Sequence, residues 1–67
     1  MKSKMVRLEF EAFEIYVSDE VIIKRGVDGR WELRDITSFK LIDSDRYRND
    51  LAERNNLNLS CEIVSLY

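Results

Sequence analysis

The sequence predicts a small α+β domain: a strongly bent antiparallel sheet or partly closed barrel of four to five strands with one helix, in the order βββ(β)αβ. Two observations predict this fold. Apolar and polar residues alternate near both ends of the chain, and a β-branched run in the middle leads into a glycine-containing turn. A chain of 67 residues predicts one domain, 1–67, in which residues 1–4 form a flexible tail.

The alternation of the first strand reverses its phase. Even-numbered residues are apolar from Val6 to Ala12, and odd-numbered residues are apolar from Phe13 to Val17. A period of two changes phase only where a residue is added or the strand bends. We therefore predict one long strand over residues 5–17, with a β-bulge at Ala12 and Phe13 that buries both Phe10 and Phe13.

A hairpin is predicted over residues 21–36. Its first strand is rich in β-branched residues. Asp28 followed by Gly29 predicts a tight turn, because these residues tolerate positive φ. In the returning strand, Trp31 and Leu33 share one face and are expected in the core.

One short helix is predicted after an extended piece near residues 39–42. A polar residue among 43–45 is expected to cap it, and Tyr47, Leu51 and Ala52 form its narrow apolar stripe. The asparagines at 55–56 are expected to end it, because asparagine tolerates left-handed backbone.

The last segment, 57–67, alternates again and is predicted to be a strand. Cys61 falls in its interior phase, so we expect a buried structural thiol. Chain-terminal strands commonly lie at sheet edges, so either this strand or the start of the first strand is the expected edge.

Composition excludes several activities. Eleven basic and thirteen acidic residues give a net charge of −2, histidine is absent and cysteine occurs once. The chain therefore cannot build an internal disulfide or a mixed Cys/His zinc site, and it lacks the commonest general base. We therefore expect that the protein is not an enzyme and that it has no catalytic residues, no metal and no cofactor. Neither a secretory signal nor a membrane span is evident, so a cytoplasmic protein without membrane contact is expected.

Protein binding is the function that remains, with a partner of unknown identity or a second copy in a homodimer. Acidic domains of this size are often regulators or inhibitors encoded by phages and mobile elements, an association with size class alone. Candidate contact residues lie on the acidic first strand and on the polar face of the helix. They are Glu9, Glu11, Glu14, Arg46, Asn49 and Glu53. The alternative interpretation of the acidic strand is that its carboxylates form a solvated face without a binding role.

The alternative hypothesis is a small barrel that binds single-stranded nucleic acid through exposed aromatic rings and a locally basic hairpin. Its candidate residues are Tyr16, Lys24, Arg25, Arg30 and Arg34. The carboxylates of the first strand would face phosphates in that arrangement, so nucleic acid is the less favoured partner.

Overall fold

The structure is a computed structural model that describes residues 3–9, 13–59 and 63–65. It confirms the predicted α+β class. The elements in chain order are β1 Ser3–Lys4, β2 Val6–Glu9, β3 Glu14–Val17, β4 Val21–Arg25, β5 Trp31–Asp35, β6 Leu41–Asp45, α1 Arg48–Arg54, β7 Leu57–Asn58 and β8 Ile63–Ser65.

The main sheet has six strands in the order β6-β5-β4-β3-β2-β8. Successive strands from β2 to β6 pair antiparallel with one another, and β8 pairs in parallel with the free side of β2. Among the described strands, β6 and β8 stand at opposite edges with no pairing between them, so the sheet is open rather than a closed barrel. The expected edge position of the last strand is confirmed by β8, whereas the edge strand β6 was not expected.

The prediction of a single long first strand is wrong. β2 and β3 are two strands of a hairpin, in which Val6 lies opposite Val17 and Glu9 lies opposite Glu14. The phase of the alternation reverses because the chain folds back between them, not because one strand carries a bulge. Phe13 is 71% exposed, so its predicted burial is also wrong. Phe10 and Ala12 lie outside the described residues.

The predicted hairpin over residues 21–36 is confirmed by β4 and β5. Five residue pairs join these strands, from Val21 opposite Asp35 to Arg25 opposite Trp31. Gly29 takes φ +85° in the turn and donates its N–H to the carbonyl of Gly26. Positive φ is the reason that glycine is suited to this position.

The helix begins later than the predicted cap. Residues 43–45 belong to β6, and the N-cap of α1 is Tyr47, which makes no side-chain cap hydrogen bond. Tyr47 is 62% exposed, so only Leu51 and Ala52 of the predicted stripe are buried. The helix ends as expected, with φ +61° at Asn56.

The core lies between one face of the main sheet and the helix. Its buried residues are Met5, Tyr16, Ile23, Trp31, Leu33, Leu51, Ala52 and Leu57. Burial of Trp31 and Leu33 confirms the prediction for the hairpin. No helix of the described part of the chain is long and apolar enough to cross a membrane.

The N-terminal segment is not a tail over its whole predicted length. Ser3 and Lys4 form β1, which pairs in parallel with β7 in a separate two-stranded sheet. Within residues 57–67, where one strand is predicted, the structure has two short strands, β7 and β8. Cys61 lies outside the described residues, so its predicted burial stays a prediction.

Candidate interaction surfaces

The face of the main sheet opposite the core is rich in aliphatic side chains. We call it the outer face and define it by five half-buried residues that lie outside the core cluster: Val6, Leu8, Ile15, Val17 and Ile22. The register makes them neighbours, because Leu8 lies opposite Ile15 and Val17 lies opposite both Val6 and Ile22. Successive strand residues face opposite sides, and Tyr16 and Ile23 face the core. No described element covers the outer face, since α1 packs on the core side.

A row of charges borders this aliphatic surface. Lys24 lies opposite Glu32 with 3.8 Å between Nζ and Oε1, and Nε of Arg34 donates to the same oxygen at 2.9 Å. Phe39 lies at the end of this row. Its ring centroid is 5.1 Å from the Arg34 guanidinium, and its backbone carbonyl accepts a hydrogen bond from that group at 2.8 Å. The outer face thus combines an apolar area with a band that carries both signs of charge.

On the core side, guanidinium groups alternate with two buried rings. Arg7 lies 5.9 Å from the ring centroid of Tyr16, and Arg48 lies 5.6 Å from Tyr16 and 5.7 Å from Trp31. Arg25 lies 4.7 Å from Trp31, and the two rings are 6.4 Å apart at 60°. Such contacts contribute about 0.5–1 kcal/mol each at exposed sites. The series fixes three guanidinium groups along the rim of the core.

Two of the predicted contact residues serve this arrangement. Glu14 accepts from Arg48 at 2.6 Å and also pairs with Arg7, while Glu9 pairs with Arg7 at 2.8 Å. Both carboxylates are therefore held within the chain, and neither is a merely solvated acid. In the described part of the chain, Arg7 Nε has no hydrogen-bond partner although it is buried.

The edge strand β6 is protected by hydrogen bonds from its own side chains and from Arg54 of α1. The N–H of Ser44 donates to Asp43 Oδ1 at 2.8 Å, and the Ser44 carbonyl accepts from Arg54 at 3.2 Å. Arg54 also donates to Asp43 and Asp45, each at 2.9 Å, which ties α1 to β6. Strand edges are commonly protected by charged side chains that face inward, so β6 is a poor template for strand addition.

These contacts change the acid–base properties of the cluster. Hydrogen bonds from Arg54 and then from Asn55 lower the pKa of Asp43 to about 2. The pKa of Asp45 is lowered by the N–H of Tyr47 and by Arg54. Hydrogen bonds to the charged carboxylate favour ionisation in both cases. No group of three or more potential metal ligands occurs among the residues that the structure describes.

One end of the main sheet gathers arginines. Arg25, Trp31 and Asp45 form one row across β4, β5 and β6, and Arg30 and Arg46 adjoin that row in sequence. Arg25, Arg30 and Arg46 are exposed and form no ion pair with any carboxylate in the described ranges. We call this region the arginine end, and Arg48 adjoins it above Trp31.

The structure separates the residues of the nucleic-acid hypothesis. Tyr16 is 2% exposed, so its ring is not available for base stacking and this part of the hypothesis is wrong. The reason is the hairpin of β2 and β3, which turns Tyr16 toward the core. Lys24 and Arg34 lie on the outer face, whereas Arg25 and Arg30 lie at the arginine end.

The remaining predicted contact residues are exposed: Arg46 before the helix, and Asn49 and Glu53 along it. Glu11 lies outside the described residues. Sequence reasoning missed the outer face as a surface, although the consecutive aliphatic residues Ile22 and Ile23 indicate a strand that is apolar on both sides.

The comparisons with known proteins found no match: no family model, no curated protein and no solved structure matches this chain.

Proposed function

We propose that this chain is a small protein-binding module whose outer face is the contact surface, and that a second copy occupies it in a homodimer. One observation carries the proposal. Five aliphatic side chains form a contiguous, half-buried area on the face of the sheet that no described element covers. Contiguous apolar surface of this kind marks interaction sites more often than isolated exposed residues do.

The size of the core supports a second copy as the partner. A domain of 67 residues buries a modest fraction of its unfolded surface, and its single cysteine cannot form an internal disulfide. Packing two outer faces together would add apolar burial at the centre of the sheet.

The charges at the border of the surface are compatible with a two-fold contact. Lys24 and Glu32 lie side by side on the same face and carry opposite charges. In an isologous interface each residue meets the partner's equivalent surface, so a two-fold axis can set Lys24 of one copy against Glu32 of the other. The protected edge at β6 disfavours edge-to-edge strand pairing at that side of the sheet.

The experiment is sedimentation equilibrium of the wild type and of Val17→Lys. Val17 lies at the centre of the outer face, where a buried ammonium would oppose association. We expect the wild type to associate with rising concentration and the variant to stay a monomer of 8.0 kDa. Val27→Lys is the matched control, because Val27 is fully exposed in the turn after β4 and should leave association unchanged.

Thermal unfolding provides the second measurement. Folding and association are linked by mass action, so dilution should lower the melting temperature of the wild type and not that of the monomeric variant. Ile22→Thr, a milder change on the same face, keeps the test valid should Val17→Lys fail to fold. A wild type that stays monomeric, with a melting temperature independent of dilution, contradicts the homodimer.

A further inference from the structure

We infer that the arginine end of the sheet binds the phosphate groups of a single-stranded nucleic acid. This activity is separate from the proposed contact at the outer face. The inference rests on where the topology places the cations. Arg25 ends β4, Arg30 precedes β5 and Arg46 follows β6, so three neighbouring strands present an arginine at the same end of the sheet.

The register gives the dimensions of this end. Arg25 lies opposite Trp31, and Trp31 lies opposite Asp45. Adjacent strands are about 4.8 Å apart, so the backbone positions of Arg25 and Asp45 are roughly 10 Å apart. Arg30 directly precedes Trp31, the middle residue of this row. Three long cationic side chains therefore start within a distance that a few nucleotides can span.

Three acidic groups at this end accept hydrogen bonds within the chain, whereas Asp50, in the first turn of α1, is exposed. Asp45 accepts from Arg54 and from the N–H of Tyr47, Glu14 accepts from Arg48, and Asp28 accepts from the N–H of Arg30. Arg25, Arg30 and Arg46, by contrast, have no carboxylate within ion-pair distance in the described part of the chain. A chain of net charge −2 thus presents three guanidinium groups without an ion-pair partner at one end of the sheet, and guanidinium recognises phosphate in a bidentate geometry.

An exposed ring favours nucleic acid over an acidic protein. Tyr47 lies between Arg46 and Arg48 in sequence, is 62% exposed, and belongs to neither the core nor a capping contact of its side chain. Bases stack on such rings, and stacking beside a cationic surface is the usual mode of binding to single strands. The ring and the guanidinium groups together match a base and its neighbouring phosphates.

The probe is a fluorescein-labelled oligothymidylate of about 15 nucleotides, measured by fluorescence anisotropy over a range of salt concentrations. Each phosphate contact contributes about −0.7 to the slope of log K against log salt, so three arginines predict a slope of about −2. Arg25→Gln and Arg46→Gln should each weaken binding and reduce the slope by about 0.7. Tyr47→Ala should weaken binding about fivefold or more and leave the slope unchanged.

Lys40→Gln is the matched control. Lys40 is exposed, precedes β6 at the end opposite Arg46, and loses the same unit of charge on substitution. It should leave affinity and slope as in the wild type. The exposed positions of these side chains keep the variants folded, which circular dichroism checks. Trp31 is the only tryptophan, and its ring centroid lies 4.7 Å from the Arg25 guanidinium, so its fluorescence provides a second probe of binding.

Three results would overturn the inference. The first is no binding of oligothymidylate at low salt. The second is an equal loss of affinity in Lys40→Gln and Arg46→Gln, which indicates diffuse attraction rather than a site. The third is equally tight binding of poly-glutamate that is insensitive to Tyr47→Ala, which assigns the surface to an acidic protein instead.

Discussion

Arg54, in the last turn of α1, donates from Nε to Oδ2 of Asp43 on the edge strand β6, at a distance of 2.9 Å. Asn55 donates to the same oxygen, also at 2.9 Å. These contacts join the helix to the edge of the sheet across a polar cluster. The cluster fixes α1 over Trp31 and Leu33, which lie opposite the aspartates of β6 in the register.

The first prediction is a loss of stability in acid. The pKa of Asp43 is about 2 in the folded chain and 3.8 as its ordinary value. A depressed folded pKa means that the unfolded chain binds protons first as pH falls. The stabilisation is therefore complete above the ordinary value and is lost as pH falls from about 4 to about 2. Urea unfolding at several pH values in this window measures it.

Arg54→Gln separates this cluster from the other carboxylates. It should lower the urea midpoint near neutral pH and flatten the fall in stability between about pH 4 and pH 2, because Asp43 then loses the largest cause of its lowered pKa. Asp45 keeps the N–H of Tyr47, the largest cause of its own lowered pKa, and loses only the contribution of Arg54. Asp19→Asn, at an exposed turn position, is the control and should leave the acid profile unchanged. An identical profile in Arg54→Gln and the wild type would show that the cluster does not govern acid stability.

The second prediction contrasts a core residue with the residue that the sequence placed in the core. Ile23 is fully buried between its neighbours in β3 and β5, whereas Phe13 is largely exposed. Ile23→Ala should reduce the free energy of unfolding by about 2–5 kcal/mol. Phe13→Ala should change it by about 0.5 kcal/mol or less. Urea denaturation of both variants measures these free energies of unfolding. A larger loss of stability in Phe13→Ala than in Ile23→Ala would contradict the hairpin of β2 and β3.

That contrast shows where sequence reasoning succeeded. The hairpin of β4 and β5 was predictable because its information is local: β-branched residues, a glycine at the position of positive φ, and alternation that sets Trp31 beside Leu33. The end of α1 at Asn56 was predictable for the same reason. A residue type suited to left-handed backbone stands where the helix stops.

The first hairpin was not predictable from the same signals. A change of phase is expected equally from a bulge within a strand and from a reversal of the chain. The residues between Glu9 and Glu14 include no glycine, proline or asparagine, so no turn chemistry distinguished the two. The candidate surfaces share this limit. The outer face and the arginine end depend on which strands are neighbours, and strand order is a long-range property.

The third prediction tests backbone conformation alone. Gly29 has φ +85°, and a Cβ placed on it would meet no atom within 4 Å. Gly29→Ala therefore has no steric cost beyond left-handed backbone, and we expect a loss of about 1–2 kcal/mol in unfolding free energy. Gly29→Asn should recover part of this loss, because asparagine tolerates the conformation. Equal stability of Gly29→Ala and the wild type would contradict the turn geometry.

The last prediction concerns Glu14, which pairs with two arginines that contact the buried ring of Tyr16. Glu14→Gln removes the carboxylate between two guanidinium groups. Arg7 keeps its pair with Glu9, whereas Arg48 has no other carboxylate partner in the described ranges. We expect a loss of about 1.5–3 kcal/mol in unfolding free energy, the range for a hydrogen bond to a charged group. The interaction between Glu14 and Arg48 should be weaker in high salt, because the side chains of Glu14, Arg7 and Arg48 are all partly exposed.

A double-mutant cycle of Glu14→Gln and Arg48→Gln, followed by urea unfolding at low and high salt, isolates this pair from the contacts of Arg7. Additive effects of the two substitutions would show that the pair contributes nothing of its own, and that Arg48 stabilises the fold only through its contacts with Tyr16 and Trp31.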